Sequence, residues 1–570
     1  MDRTAWIVVS LCVISLIVWE VYLSRQMQPK PAVAPGPSAV PLSPTPALVA
    51  GTPAPSSLPT ATPAEAAPAF QEQIETLRNS DVELRLTNRG GGVAEAVLLN
   101  HKAEQNKPVV LNSSEHMPIG AIVDNPAVPV LPEYKIMRQG DAVQFEYTTA
   151  ERVIIRKKLF FQKSPETKDN FVAELDVDLE NAGAQPYSKT GYFIALGSAV
   201  PLHPKDYPSY TRLAWCVDGR TKGIDVGWFG GGGGFFGLGQ HPARALYEQS
   251  AAGAEWVAVS NQFFTTLVAP LGAKANNAWA RRFDVTHWAD QKAFAIEGAL
   301  GMPGFQLQPG QTYTAKFEIY AGPKIYHRLA QLEHNEAEVM DFGIFKIVCQ
   351  FLLNFMNLLH SWLKDYGLAI LALTTVIKLV LWPIQNKANR SMRQMSALSP
   401  KMQELREKYK DDPTRMNQEV MKLYKDYGIN PVGGCLPMVI QIPIFFGLFK
   451  MLGQAVELRN AKFLWVRDLS QPDTVAHLPI LGWPINIIPL CMAASQIWLM
   501  AMTPKTGDAT QRRVMMFTPL IFLFICYNFA AALALYYTTQ NLFSILQFYQ
   551  NKRQPPPTLE KRVPAGKRKR

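Results

Sequence analysis

The sequence predicts a polytopic α-helical membrane protein joined to an all-β domain, and three observations predict it. Residues 366–384 (YGLAILALTTVIKLVLWPI) form an apolar run of about eighteen residues, long enough at ~1.5 Å per residue to cross most of a ~30 Å hydrocarbon layer. Further apolar runs follow at 432–452, 478–502, 514–529 and 531–549. Between residues 70 and 323 the pattern is different: short stretches alternate apolar and polar with no long helical period. The 570 residues are 48% hydrophobic yet carry a net charge of +11, the average of very apolar and very polar blocks.

The chain opens with an apolar run from Trp6 to Leu23 behind Asp2 and Arg3. Residues 1–23 read as a signal peptide or an uncleaved anchor, and the anchor is preferred because no small-x-small cleavage site follows directly. Residues 24–69 are Pro, Ala, Ser and Thr with few charges, a composition that cannot bury enough to order itself and serves as a tether. Residues 70–323 form a β-sandwich-like domain. Its strands include Val82 to Leu86 before the turn Asn88-Arg89-Gly90-Gly91, Phe171 to Leu179, and Thr312 to Tyr320. The glycine run from Gly230 to Gly234 has neither a following helix signal nor a terminal lysine, so a phosphate loop is not supported.

Residues 324–365 connect this domain to the membrane region, first through a polar helical stretch from Tyr326 to Glu338. An amphipathic helix follows, with Cys349, Leu352, Leu353 and Met356 on one side and Lys346, Gln350, Asn354, Asn357 and Ser361 on the other. Such a helix lies in the membrane interface; packing against the sandwich is the alternative. After the span at 366–384, residues 385–430 form a helical hairpin. Its seam is Met392, Met395, Leu398, Met402, Leu405 and Tyr409, then Met416, Val420, Leu423 and Tyr427, with Asp412-Pro413 restarting the second helix. Its excess of Lys and Arg marks the cytoplasmic side. Residues 431–550 hold spans three to six and residues 551–570 a basic tail. Alternation from the hairpin places both termini and the tail inside, the sandwich outside, and gives six spans in all.

Lys378 is the anomaly of the first long span, because an ammonium at the bilayer centre costs roughly 2.5–3.5 kcal/mol. Close to an expected helix end at Pro383, its stem could also snorkel to the headgroups. Polar groups and prolines recur in the other spans: Gln441 between Pro437 and Pro443, Thr518 beside Pro519, and Tyr536 to Asn541 in the last. In lipid each needs a partner or water, so together they outline a hydrated concavity; helix-to-helix hydrogen bonding is the alternative for any one of them. The candidate groove residues are Lys378, Thr374, Gln441, Thr518, Tyr536 and Tyr537. No catalytic, metal-ligand or cofactor motif occurs, and the six cysteines (12, 216, 349, 435, 491, 526) are not spaced for zinc or an iron-sulfur cluster. The chain is therefore expected to be no enzyme and to use no cofactor. The tail residues Lys552, Arg553, Lys567, Arg568, Lys569 and Arg570 suit a polyanion, either ribosomal RNA or anionic lipid.

Residues 430–449 (NPVGGCLPMVIQIPIFFGLF), Val456-Glu457-Leu458-Arg459, and Leu535-Tyr536-Tyr537 with Asn541-Leu542 resemble the YidC membrane-protein insertase family in its long form. So do Thr87 to Gly91 and Trp256 to Phe264 in the soluble part. The resemblance implies a five-helix insertase core around a groove open to cytoplasm and lipid, a periplasmic β-supersandwich, and residence in the bacterial inner membrane. It further implies a chaperone that inserts nascent membrane proteins, alone or with the Sec translocon, and that takes no small-molecule substrate. The family's groove carries a basic residue, usually arginine, five positions before a proline. Lys378 before Pro383 fills that place, keeping the charge but losing the bidentate fork. Two other functions fit the residues: a solute transporter or channel, and a membrane-anchored periplasmic binding module.

Overall fold

The computed structural model describes residues 70–103, 106–162, 170–231, 241–286, 288, 292–429, 436–478, 482–503 and 509–553. The expected anchor and tether, most of the glycine run, and the tail beyond Arg553 lie outside these residues.

Alternation becomes sheet where the sequence expects it. In the strand Val172–Asn181, Ala173, Leu175, Val177 and Leu179 are buried on one face while Glu174, Asp176, Asp178 and Glu180 are half-buried on the other. That strand sits inside a nine-stranded antiparallel sheet. Its order is Arg220–Asp225, Arg212–Val217, Trp256–Ser260, Phe264–Leu271, Thr312–Pro323, Val172–Asn181, Val153–Phe161, Ala142–Thr148, Lys135–Gln139. A five-stranded sheet, led by the long pair Tyr187–Ala199 and Ala293–Leu307, packs over its first half. A four-stranded meander from Ile74 to Leu111 completes the domain. The turn at Asn88 to Gly91 joins two strands of this meander with Gly90 and Gly91 at φ 69° and 59°. A Cβ would meet Leu131 at 2.8 Å in the first case and Tyr134 at 2.9 Å in the second.

The connector departs from the expected helical stretch between Tyr326 and Glu338. Only one turn, Tyr326–Leu329, is α-helical; Asn335 then adopts φ 63° and a 3-10 turn spans Glu336–Met340. The left-handed residue reverses the chain, so the connector lies along the sheet instead of projecting from it. Beyond it the sandwich is hydrogen-bonded to the helical region. Gln262 Nε2 donates to Gly453 O (2.8 Å), and the buried Lys324 Nζ donates to Gln454 Oε1 (3.2 Å). Burial draws the Lys324 ammonium down to about 7. Burial also works against the charge of Asp341, but Arg212, Lys450 and Lys324 outweigh it and hold that carboxyl below its ordinary value.

Eight helices of the described residues concern the membrane region: α1 (Lys346–Leu363), α2 (Tyr366–Ala397), α3 (Ser399–Lys408), α4 (Pro413–Asp426), α5 (Leu436–Gln454), α6 (Ile487–Met502), α7 (Ala509–Cys526) and α8 (Ala531–Lys552). The expected apolar face of α1 packs chiefly against α2 and α5. Its outward face is mixed, with Ile347, Phe351, Leu358 and Trp362 beside Asn354 and Ser361. By length and composition, the described residues hold two helices able to cross a membrane, one at Gly343–Leu363 and one at Tyr366–Ala397.

Helix α2 corrects the expected end at Pro383. It runs through that proline to Ala397, 32 residues or about 48 Å, longer than the hydrocarbon layer. The turn is backed by α8, whose Gln547 Nε2 donates to Trp382 O (3.2 Å) and Asn386 Oδ1 (2.7 Å). The hairpin then forms on a small core of its own. Leu398, Met402, Tyr424 and Ile429 are buried, flanked by Met395, Val420, Leu423 and Tyr427, while Asp412 Oδ1 caps α4 by accepting from Arg415 N (3.0 Å).

The expected span 478–502 is also corrected. Thr474–His477 pairs with Pro484–Asn486 as a hairpin, and only Ile487–Met502 is helical. Gly482 at φ 63° and the bond from Leu478 N to Trp483 O (2.8 Å) close this turn, and Asp473 Oδ2 accepts from Ile488 N (2.8 Å) to start α6.

Candidate functional site: a polar chain inside the helical region

The period of an α-helix brings Tyr536, Gln540, Ser544, Gln547 and Asn551 to one stripe of α8. That stripe faces α2 and α5 and collects their polar side chains. Gln441 Nε2, on α5, donates to Tyr536 Oη (3.0 Å) and Gln540 Oε1 (3.2 Å). One turn on, Lys378 Nζ donates to Ser544 Oγ (2.7 Å), and Ser544 Oγ donates to Gln540 O (3.0 Å). Another turn on, Asn386 Oδ1 accepts from Gln547 Nε2 (2.7 Å) and Asn551 Nδ2 (3.2 Å), and Arg393 donates to Asn551 O (2.7 Å). The result is a chain of polar groups running about 22 Å along α8, from Tyr536 to Asn551 at ~1.5 Å per residue.

Lys378 lies twelve residues into α2, about 18 Å from its start and much farther from its end. It is 5% exposed and bonded to a neighbouring helix, so its stem does not run out to either end of α2. No ion pair joins it to a carboxylate among the described residues. An ammonium has three donors, and one is engaged.

The other expected groove residues fall in three places. Thr374 is on the same face of α2 and fully buried, but its Oγ1 is spent on the carbonyl of Ile370 (2.7 Å). Tyr537 points away from the stripe, its ring edge-on to Phe445 (5.4 Å) and tilted against Phe522 (5.1 Å). The side chain of Thr518, on α7, lies outside the described residues, as do Lys567, Arg568, Lys569 and Arg570; Lys552 and Arg553 are exposed at the end of α8. Sequence reading missed Ser544, Gln547, Asn551 and Asn386. The signal was available, because polar residues recur in α8 every three or four positions well past Asn541.

Around the chain the outward faces are apolar: Leu379 and Val380 on α2, Ile442 on α5, Trp498 on α6, Phe524 on α7 and Leu546 on α8 are all exposed. Such a belt around a polar interior defines a helical membrane protein with hydrophilic groups held away from lipid.

Comparison with known proteins specifies the class. Residues 75–355 match the family model of the YidC periplasmic domain, and residues 358–557 match that of the 60Kd inner membrane protein. A membrane protein insertase YidC of Cupriavidus necator is 31% identical over 536 residues, 92% of this chain and 87% of the relative. Those of Syntrophobacter fumaroxidans and Syntrophus aciditrophicus are 38% and 42% identical over 298 and 260 residues; these matches span 53% and 46% of the relatives, about half their length, and 52% and 45% of this chain. The crystal structure of an active YidC insertase with its first transmembrane domain resolved aligns with 85% of this chain and 95% of its own at 17% identity. Its TM-score of 0.35 is too low to carry an argument. The chain belongs to the YidC membrane protein insertase family.

Proposed function

We propose that this protein inserts nascent inner-membrane proteins and helps them fold, alone or together with the Sec translocon. The observation that carries the reading is Lys378, a cation held inside the helical region with donors to spare, on a polar chain that reaches the basic hairpin end of the molecule. A nascent segment crossing the bilayer must bring peptide groups and carboxylates through a layer that offers no hydrogen bonds. Along the α8 stripe it meets acceptors and donors at every turn and a positive charge about halfway. Hydration of this stripe opens it into a groove. The attraction is electrostatic and no covalent bond changes.

In this reading the protein has six spans, counting an anchor within residues 1–23, with both termini and the α3–α4 hairpin in the cytoplasm and the sandwich in the periplasm. Hairpin and tail face ribosomal RNA and anionic lipid headgroups, where Lys552, Arg553 and Lys567 to Arg570 supply charge. The decisive experiment is site-specific crosslinking from Gln441 and Tyr536 to ribosome-bound nascent chains bearing one hydrophobic span. Adducts from both positions, and none from the lipid-facing Trp498, are expected. Equal adducts from all three would overturn the groove.

A further inference from the structure

The outer face of the nine-stranded sheet carries a second group of ionisable side chains, far from the polar chain. Glu318 on Thr312–Pro323 stands directly across the ladder from Glu174 on Val172–Asn181, an arrangement of like charges that destabilises a sheet. The connector folds back over this point. Asn335, with its left-handed backbone, turns the chain between His334 and Glu336, and both side chains come down beside Glu318. The donor atoms of Glu318, His334 and Glu336 all lie within 4.8 Å of one another, and His334 Nδ1 is 3.4 Å from Glu336 Oε1.

Each carboxylate keeps one buried oxygen without a hydrogen bond among the described residues. Glu336 is 0% exposed and Glu318 8%. Glu318 Oε1, Glu336 Oε1 and His334 Nδ1 are buried atoms with no hydrogen-bond partner among the described residues. The second oxygen of Glu336 is fixed, accepting from His334 N (2.9 Å), which aims the first toward the imidazole and Glu318. Buried carboxylates left this way are costly unless a positive charge compensates them.

We propose that Glu318 Oε1, Glu336 Oε1 and His334 Nδ1 bind a divalent transition-metal ion of the zinc class, with water as fourth ligand on the open side of the His334 ring. Two donors ~2.0–2.1 Å from one tetrahedral ion stand about 3.4 Å apart, which is the separation of His334 Nδ1 and Glu336 Oε1. One imidazole with two carboxylates suits zinc better than magnesium or calcium, which take oxygen alone. The His334 side chain is 31% exposed and gives the ion a way in. The ion ties the connector to the sheet. Two residues beyond Glu336, Glu338 accepts from Thr221 Oγ1 through its carbonyl (2.9 Å) and pairs through its carboxylate with Lys346, the first residue of α1. A closed site therefore fixes where the sandwich hands over to the membrane helices.

The test uses tag-free full-length protein in detergent, stripped with chelator and titrated calorimetrically with zinc chloride and, separately, magnesium chloride. One equivalent of zinc and no magnesium should bind. His334→Ala, whose ring is partly exposed, and Glu336→Gln should each weaken zinc binding at least tenfold. Zinc should also slow hydrogen exchange in peptides covering residues 330–346 of the parent but not of the variants. No stoichiometric uptake by the parent, or equal uptake by parent and both variants, would overturn the site. So would a Glu336→Gln protein that is more stable than the parent while neither responds to zinc, because the two acids would then simply share a proton.

Discussion

Lys157 and Lys378 are buried in different halves of this protein, and their surroundings differ in a way that separates structure from function. Lys157 in the sandwich is 0% exposed; its Nζ donates to Gly90 O (2.7 Å) and Gly120 O (3.1 Å) and lies 4.7 Å from the Tyr134 ring centroid. Both carbonyls belong to residues with positive φ, so the ammonium is the clasp on two tight turns. Among the described residues, Lys378 in the helical region has one hydroxyl partner and no aromatic face. A lysine whose donors are consumed by main-chain carbonyls holds a fold together. A lysine with donors left over, beside a chain of amides and hydroxyls, has capacity for something that arrives.

The comparison is broken most directly at Lys157. Lys157→Met keeps the length of the side chain but leaves two buried carbonyls unpaired, at about 1–3 kcal/mol each. We expect the sandwich to lose roughly 2–5 kcal/mol, read as faster hydrogen exchange across Val153–Phe161, with the helices unchanged. The pH dependence has a definite sign. Burial lowers the Lys157 pKa from 10.5 to about 7. Between about 7 and 10.5 the unfolded chain therefore holds a proton the folded one has released, and stability rises with pH across that window; below about 7 both states are protonated and the slope vanishes. Lys324 adds to the same rise, so the quantity to measure is the difference between parent and Lys157→Met. A variant with the full slope and unchanged exchange would make Lys157 a bystander.

At Lys378 the expected losses are in activity, not stability. Lys378→Glu should impair insertion of every substrate with an acidic leading segment severalfold or more, since repulsion replaces attraction. Lys378→Ala should affect acidic substrates and spare neutral ones, and Lys378→Arg should be nearly silent because a general attraction needs charge, not a particular fork. Complementation of a depleted strain, scored on one acidic and one neutral substrate, reads all three. Equal loss on both substrates for Lys378→Ala would place Lys378 with Lys157 as a structural lysine.

The two halves were unequally legible. Period-2 alternation located the strands around Val82, Val172 and Thr312 because one face of each is buried in a common core. Hydropathy found the helices but misplaced their ends, for physical reasons. Pro383 removes one hydrogen bond, which a neighbouring helix tolerates, whereas Gly482 and Pro484 in an equally apolar stretch make a hairpin because Thr474–His477 is there to pair with. The candidate site was half visible. Lys378 and Gln441 stood out as polar residues in apolar runs, and the helical recurrence of Ser544, Gln547 and Asn551 was readable too, while Asn386 hid in the polar stretch after Pro383, where no cost singles it out. Glu318, His334 and Glu336 could not be read from spacing at all, since a strand and a folded-back connector supply them.

The smallest expected effect is the sharpest discriminator. Ser544→Ala removes the one hydrogen-bond partner that Lys378 has among the described residues while leaving the charge in place. If Lys378 were structural, losing its partner would reproduce losing the lysine, and Ser544→Ala would match Lys378→Ala in every assay. If the free donors are what matter, the ammonium gains one more and insertion of acidic substrates should stay within about twofold of the parent. The modification rate of Lys378 by a water-soluble amine reagent should rise, because nothing tethers the amine to α8. The helix itself should not suffer, since alanine is the better helix former by up to ~0.5 kcal/mol and the lost bond to Gln540 O was only a bond within the same helix. Insertion that falls for acidic and neutral substrates alike, with the lysine no more reactive than before, would show that Lys378 and Lys157 do the same work.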